Sequence, residues 1–189
     1  MSNQASVAGK RAGQFIAYIL IGAGLIIIGF IAIKIITDRG QSGDISVTPS
    51  RVSFPAPELT LNNLQGEVVS LSDYNGHILM VNNWATWCPP CRLEMPILAK
   101  YYNTHTAQGF MLLGIDAGDD ASEVSKFIED RKLPFPILLD PNNASMAAFH
   151  NDNLPSSYVI DRTGTVVLAW TGPINRDMLE KYVTPLLEQ

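Results

Sequence analysis

Apolar and polar positions follow two different patterns along the chain. Residues 15–33 form one apolar run without a charged side chain, and after Lys34 it continues through Ile36. From about residue 55 onward, short apolar runs such as 78–81 alternate with amphipathic stretches in which apolar residues recur three and four positions apart. Short apolar runs are typical of strands buried on both faces of a sheet, and the longer spacing is typical of helices. The pattern predicts one apolar helix followed by an α/β domain.

The apolar run has the length of a membrane-spanning helix. At about 1.5 Å per residue, roughly 20 residues cross a hydrocarbon core of about 30 Å. A cleaved signal peptide has a shorter apolar region and a small-residue cleavage site, which the residues after position 36 lack. We expect a tail over 1–14, an uncleaved transmembrane anchor over 15–36, a linker over 37–54 and one domain over 55–189.

Within the domain, strands and helices alternate. The predicted strands and hairpin segments are 67–74, 77–84, 110–116, 135–140, 157–161 and 165–170. The predicted helices are 88–107, 121–132, 143–150 and a last one beginning at Asn175 or Asp177. Alternating strands and helices that end in a hairpin and a helix predict an α/β sandwich with a mixed sheet.

Charge and cysteine content exclude several classes of protein. The chain carries a net charge of −5 and has two cysteines. Acidity argues against a nucleic-acid partner, which would require a basic patch. Two cysteines are too few for a disulfide-stapled miniprotein or a zinc site made of cysteines alone. Residues 1–44 have four basic and two acidic side chains, and residues 45–189 have nine and sixteen, so the acidity belongs to the domain.

The two cysteines occupy the point where a buried strand turns into a helix. Cys88 and Cys91 are three residues apart in WATWCPPC, and one helical turn brings their Cα atoms within about 5 Å, inside the disulfide range. The positive end of the helix favours the thiolate, so we expect Cys88 to attack and Cys91 to resolve. Because Pro89 and Pro90 lack an N–H, only the Cys91 amide among the first three can stabilise Cys88. We expect the pKa of Cys88 to lie moderately below about 8.5.

Half a zinc site and an inert disulfide are the alternatives to a redox role for the cysteine pair. His77, His105 and His150 are scattered and none has the spacing of paired zinc ligands. A disulfide that closes so small a loop constrains the unfolded chain little. Redox chemistry is the better interpretation.

WATWCPPC after a buried strand resembles the active-site motif of the thioredoxin superfamily. More narrowly, the domain resembles the membrane-anchored thiol–disulfide oxidoreductases of the TlpA/ResA/DsbE group, through APELTL and VSLSDYNGH, the RLEMP after the second cysteine, and LPSSYVIDRTG. The resemblance implies a thioredoxin fold with an N-terminal hairpin and a central insert at 116–150. It also implies that Pro155 is cis, that the Leu154 backbone pairs with substrate, and that Trp87, Pro89 and Pro90 contact substrate.

Proton transfer near the cysteines has one candidate residue in the sequence. Asn82 stands where many thioredoxins have a buried Asp, and an amide cannot transfer protons. Glu94, one turn after Cys91, is the candidate proton relay; the alternative is a solvated helix residue. Acidic residues at 116–123 are better explained by the opening of a helix than by a cation site.

The resemblance implies a single-pass protein of a bacterial-type cell membrane, with a cytoplasmic N-terminus and the domain outside the cytoplasm. It implies a reductant of exported proteins, such as apocytochrome c, that is reset by a membrane-embedded thiol donor. The redox centre is the cysteine pair itself, with no cofactor and no metal. An oxidant or isomerase, a non-catalytic binding module and a copper chaperone stay open as alternatives.

Overall fold

The computed structural model describes residues 47–188 and, before them, positions 22, 24–27, 29 and 30. The chain divides into two units, Met1–Asp44 and Ile45–Gln189. The predicted tail, most of the predicted anchor and residues 37–46 of the predicted linker lie outside the described residues. In the part that is described, no helix is both long and apolar enough to cross a membrane.

The second unit is built on one mixed sheet of eight strands in the order β1-β8-β7-β4-β5-β6-β2-β3. The strands are β1 (Ser50–Pro55), β2 (Thr60–Asn63), β3 (Val68–Ser70), β4 (Ile78–Trp84), β5 (Phe110–Asp116), β6 (Ile137–Leu139), β7 (Ser156–Ile160) and β8 (Thr165–Thr171). The pairs β4–β5 and β5–β6 are parallel and the other pairs are antiparallel. The predicted mixed sheet and both hairpins are confirmed.

Along the chain, the helices lie between and after the strands that the apolar pattern predicts. They are α1 (Pro89–His105), α2 (Ala121–Arg131), α3 (Ala144–Ala148), α4 (Arg176–Tyr182) and α5 (Thr184–Leu187). Asn175 caps α4 by accepting a hydrogen bond from the Met178 amide, so the first of the two predicted starts is correct. The predicted insert contains α2, β6 and α3.

The central strand β4 separates two cores, because successive side chains of a strand point to opposite faces. Ile78, Met80 and Trp84 lie in the core beneath α1. Leu79 and Val81 lie in the core on the other face. All seven residues of β4 are buried, as a continuous apolar run predicts.

Strand β1 occupies, except for Pro55, residues that the sequence assigned to the linker. Residues 50–55 pair antiparallel with β8 at one edge of the sheet. Ser50 and Pro55 bound the segment, and only one of its six side chains is even partly buried, so it lacks the apolar alternation of a half-buried strand. The partner strand lies far away in sequence, which local reasoning does not detect. The domain boundaries themselves stay predictions.

Candidate active site

A disulfide joins Cys88 and Cys91 at the start of α1. Cys88 is the N-cap of the helix, with Pro89 and Pro90 in the first two helical positions. The Sγ atoms are bonded at 1.98 Å and the Cα atoms are 5.3 Å apart. The one-turn spacing predicted from the sequence is therefore the observed one.

One backbone amide is directed at the Cys88 sulfur. The Cys91 N–H donates to Cys88 Sγ over 3.3 Å, while neither proline has an N–H to offer. Cys91 has no exposed surface, whereas Cys88 is 3% exposed and lines a surface groove. A partner's sulfur can therefore reach Cys88 first, which is the order expected for an attacking and a resolving thiol.

Two hydrogen bonds hold the loop before Cys88, one made by the N–H and one by the carbonyl of Thr86. The Thr86 N–H donates to Asp119 Oδ2 over 2.6 Å, and Arg92 Nη1 donates to the Thr86 carbonyl over 3.4 Å. The Cys88 N–H also donates to the Ala85 carbonyl over 3.2 Å. These contacts position the cysteine from α1 and from the segment that follows β5.

The sequence predicts that the acidic residues at 116–123 all open a helix, but in the structure they have different roles. Asp120 and Glu123 do open α2. Asp116, however, ends β5 and is fully buried, and its Oδ1 accepts from the Asp119 amide over 3.0 Å. Burial, followed by the carboxylates of Asp119 and Asp140, raises the pKa of Asp116 to about 8. For Asp116 and Asp119 the helix-opening interpretation is wrong.

Glu94 is buried beneath the disulfide turn. It is 1% exposed, its Oε1 accepts from Asn82 Nδ2 over 2.8 Å, and its Oε2 accepts from the Ile174 N–H over 2.9 Å. Burial raises the pKa of Glu94 to about 7, against the lowering effect of these hydrogen bonds. The alternative of a solvated helix residue is wrong, because the carboxyl faces β4 and not water. Its role as a proton relay stays a prediction.

Four of the predicted substrate-contacting residues line one groove, and Pro155 is not part of its lining. Cys88 shares a groove of about 430 Å³ with four of them, Trp87, Pro89, Pro90 and Leu154. The Leu154–Pro155 peptide bond is cis, as the resemblance implied, and Pro155 is buried. Within residues 47–188, neither the N–H nor the carbonyl of Leu154 forms a backbone hydrogen bond.

Sequence reasoning missed a buried polar chain on the other face of the sheet. Ser145 Oγ donates to Asn83 Oδ1 over 2.6 Å, and Asn83 Nδ2 donates to Ser156 Oγ over 3.2 Å. Asp140 holds the start of α3 by accepting from the amides of Ala144 and Ser145, each over 2.8 Å. This chain of hydrogen bonds therefore links the insert to Ser156, the residue after the cis proline. A pair of polar residues directly after the apolar run 78–81, inside β4, was the sequence signal for it.

No group of three or more histidine, cysteine or carboxylate side chains that could hold a metal ion occurs in the described part of the chain.

Comparison with known proteins gives consistent matches. The model of the AhpC/TSA family matches residues 52–169. The thiol-disulfide oxidoreductase ResA of Geobacillus kaustophilus is 34% identical over 136 residues, which are 72% of this chain and 78% of that protein. The ResA of Bacillus subtilis is 30% identical over 128 residues, 68% of this chain and 72% of that one.

A solved structure extends the match to the fold. It is a thiol:disulfide interchange protein of the thioredoxin family from Chlorobium tepidum, which is 27% identical. It superposes with a TM-score of 0.65 over 73% of this chain and 99% of that chain.

Proposed function

Because the chain belongs to the AhpC/TSA family and is a thiol–disulfide oxidoreductase of the ResA and DsbE type, we propose that it reduces disulfides of exported proteins from a membrane tether. The thioredoxin fold follows from the family and the superposition, and the redox centre is the Cys88–Cys91 pair. The direction of electron flow, the tether and the substrates are the proposal.

The reaction begins from the reduced pair. The Cys88 thiolate attacks one sulfur of the partner's disulfide; that S–S bond breaks, a mixed disulfide forms, and the released partner thiolate takes up a proton. Cys91 then loses its proton and attacks Cys88 Sγ, and the second partner sulfur leaves and is protonated. The partner gains two electrons from the cysteine pair and two protons, one equivalent to that lost by Cys91 and one from water, and the protein is left with its Cys88–Cys91 disulfide. A dithiol donor in the membrane returns it to the reduced state.

Glu94 is the proposed acceptor of the Cys91 proton. It stands one turn after Cys91, and residues at this spacing are neighbours on a helix face. With a pKa of about 7, its carboxyl can both take and give a proton near neutral pH. Asn82 can bind either protonation state of Glu94. Its Oδ1 has no hydrogen-bond partner in the described region, so rotation of the amide group would let Oδ1 accept a hydrogen bond from the protonated carboxyl of Glu94.

The observation that carries the proposal is the groove itself. It places Cys88 next to Trp87 and to the unpaired backbone of Leu154, so that an extended partner segment can form backbone hydrogen bonds beside the disulfide. Such a site suits a protein substrate, and the resemblance of the sequence to the TlpA/ResA/DsbE group favours exported proteins such as apocytochrome c.

The proposed tether is residues 15–36, with the domain outside the cytoplasm. The run has no charged residue before Lys34, and within it Leu25, Ile26, Ile27 and Phe30 are exposed, as lipid-facing side chains would be. Two enzyme reporters fused after residue 189, one active only after export and one active only in the cytoplasm, test the orientation. Activity only with a reporter that requires export supports the proposal, and activity only with a cytoplasmic reporter contradicts it.

The reduction potential of the cysteine pair tests the direction. A value of about −300 mV or below excludes an oxidant, and a value of about −120 mV excludes a reductant. Turnover of a model disulfide together with copper titration separates this reaction from the copper-chaperone alternative. Tight copper binding without disulfide exchange would favour the chaperone.

A further inference from the structure

We propose that a second groove beside Trp87, which Leu154 does not line, docks an acidic segment of the partner protein and so selects which disulfides are reduced. We call it the arginine groove; it has a volume of about 480 Å³ and is lined by Trp87, Pro89, Arg92, Leu93 and Arg131. This inference deepens the proposed function and rests on it. Trp87 and Pro89 belong to both grooves, so a partner bound at Cys88 extends directly into this one.

The two guanidinium groups of the arginine groove are fixed by the protein. Arg131 lies 4.8 Å and Arg92 5.8 Å from the centre of the Phe127 ring, so both stack on one aromatic side chain. Arg92 is also bonded to the loop carbonyl of Thr86. Two long side chains held in this way lose less conformational freedom when a ligand binds.

Pro96 explains the position of Arg131. A proline inside a helix leaves the carbonyl four residues earlier without its helical partner, and for Pro96 that carbonyl belongs to Arg92. Arg131 Nη1 donates to this oxygen over 3.5 Å. The interruption of α1 therefore directs a cation from α2 toward the groove.

The charge around the arginine groove favours an acidic ligand. Among residues 47–188, neither Arg92 nor Arg131 forms an ion pair with a carboxylate. Residues 45–189 contain sixteen acidic and nine basic side chains, so two neighbouring arginines beside the reactive cysteine form a basic patch on a domain that is acidic as a whole. Charge complementarity of this kind steers a partner and sets its orientation. A polyanion such as nucleic acid is disfavoured by the acidic remainder of the surface.

The ligand also needs an apolar side chain. Trp87 and Leu93 are 65% and 74% exposed, and both line the groove. Aromatic and arginine side chains are the residues in which binding energy concentrates at protein interfaces. The occupant is therefore a partner segment with carboxylates next to an apolar residue, close to its disulfide.

The test compares three synthetic peptides, each with one internal disulfide, that differ only in the flank before the first cysteine: Glu-Leu-Glu, Gln-Leu-Gln or Lys-Leu-Lys. The full chain is reduced in detergent, freed of reductant, and the rate of the first exchange is measured with each peptide. We expect the Glu peptide to react about three- to tenfold faster than the Gln peptide, the Lys peptide to be slowest, and the preference to shrink in high salt.

Variants of Arg131 assign this preference to the groove. Arg131→Gln should lower the Glu-to-Gln rate ratio by about threefold, and Arg131→Lys, which keeps the charge, should restore most of it. Lys126→Gln is the matched control: Lys126 is exposed on the same helix and is not among the lining residues. Its rate ratio should equal that of the unchanged protein.

Each outcome is informative. Equal rates with all three peptides, or an equal loss of preference in Lys126→Gln, overturn the arginine groove while leaving the oxidoreductase intact. Failure of the unchanged protein to exchange with any peptide counts instead against the proposed reductant. A concentration-dependent dimer that Arg131→Gln abolishes would identify a second copy of the chain as the occupant and overturn the proposal.

Discussion

The carboxylate of Asp119 accepts a hydrogen bond from the Thr86 N–H over 2.6 Å, so a residue far along the chain fixes the loop that carries Cys88. Changing Asp119→Ala removes the acceptor and leaves a partly buried amide unpaired. We expect disulfide exchange to slow several-fold and the free energy of unfolding to fall by about 1 kcal/mol. Exchange kinetics and denaturant titration of the same preparation measure both.

Asp119→Asn and Asp120→Ala separate this contact from a general loss of charge. The first variant keeps a side-chain acceptor and should retain most of the rate. The second removes the exposed carboxylate at the N-cap of α2, whose side chain makes no capping hydrogen bond, and should exchange disulfides at the rate of the unchanged protein. Slow exchange in both Ala variants would show that the Thr86 contact is not the cause.

Glu94→Gln should remove a pH dependence from the resolving step. Above a pKa of about 7, Glu94 is a carboxylate and can accept the Cys91 proton, so the rate of the second exchange should rise with pH through this value. The variant should be slower by about tenfold or more and lack this inflection. Stopped-flow measurements between pH 5 and pH 9 give the profile, and the exposed Glu123→Gln serves as control. An unchanged inflection would mean that another group takes the proton.

The two cysteines should behave differently when each is changed to serine. In Cys91→Ser the Cys88 thiolate still attacks, but nothing releases the partner, so a mixed disulfide accumulates. In Cys88→Ser the remaining thiol of Cys91 is fully buried and should not capture a partner. Non-reducing gel electrophoresis with a model disulfide protein shows the difference. Equal capture by both variants would contradict the assigned order.

Asp116 makes stability decrease as the pH rises. Its pKa is about 8 in the folded protein, against an ordinary value of 3.8. The folded state therefore binds more protons than the unfolded state between these values, and stability is lost as the pH rises through the window. Asp116→Asn replaces the buried carboxyl group with a neutral amide and so removes this loss of stability. We expect no gain near pH 4 and a gain of about 1–3 kcal/mol near pH 8, measured by denaturant unfolding. A variant that is less stable at both pH values would show that the carboxyl group itself is required.

Local patterns predicted those parts of the fold that depend on local physics. The buried run of β4, the amphipathic face of α2 and the one-turn spacing of Cys88 and Cys91 follow from periodicity and helix geometry, and the structure agrees on each. The position of Pro155 came from a family motif, since no local pattern indicates a cis bond.

What sequence reasoning missed depends on contacts between distant segments. Strand β1 is defined by its pairing with β8, and Glu94 is buried because Asn82 and Ile174 meet it from other elements. Asp119 looked like one more acid at a helix start until the structure placed it against Thr86. A charged residue reveals whether it is solvated or buried only when its tertiary neighbours are known.

Trp87 gives the protein an optical signal of its own. The chain has three tryptophans; Trp84 and Trp170 are buried, while Trp87 is exposed and immediately precedes Cys88. A disulfide quenches the emission of a neighbouring indole more strongly than two thiols do. A soluble quencher such as iodide reaches only an exposed indole, so the part of the fluorescence that iodide removes comes from Trp87. That part should report whether the cysteine pair is oxidised or reduced. Electron transfer could then be followed in real time without attaching any label.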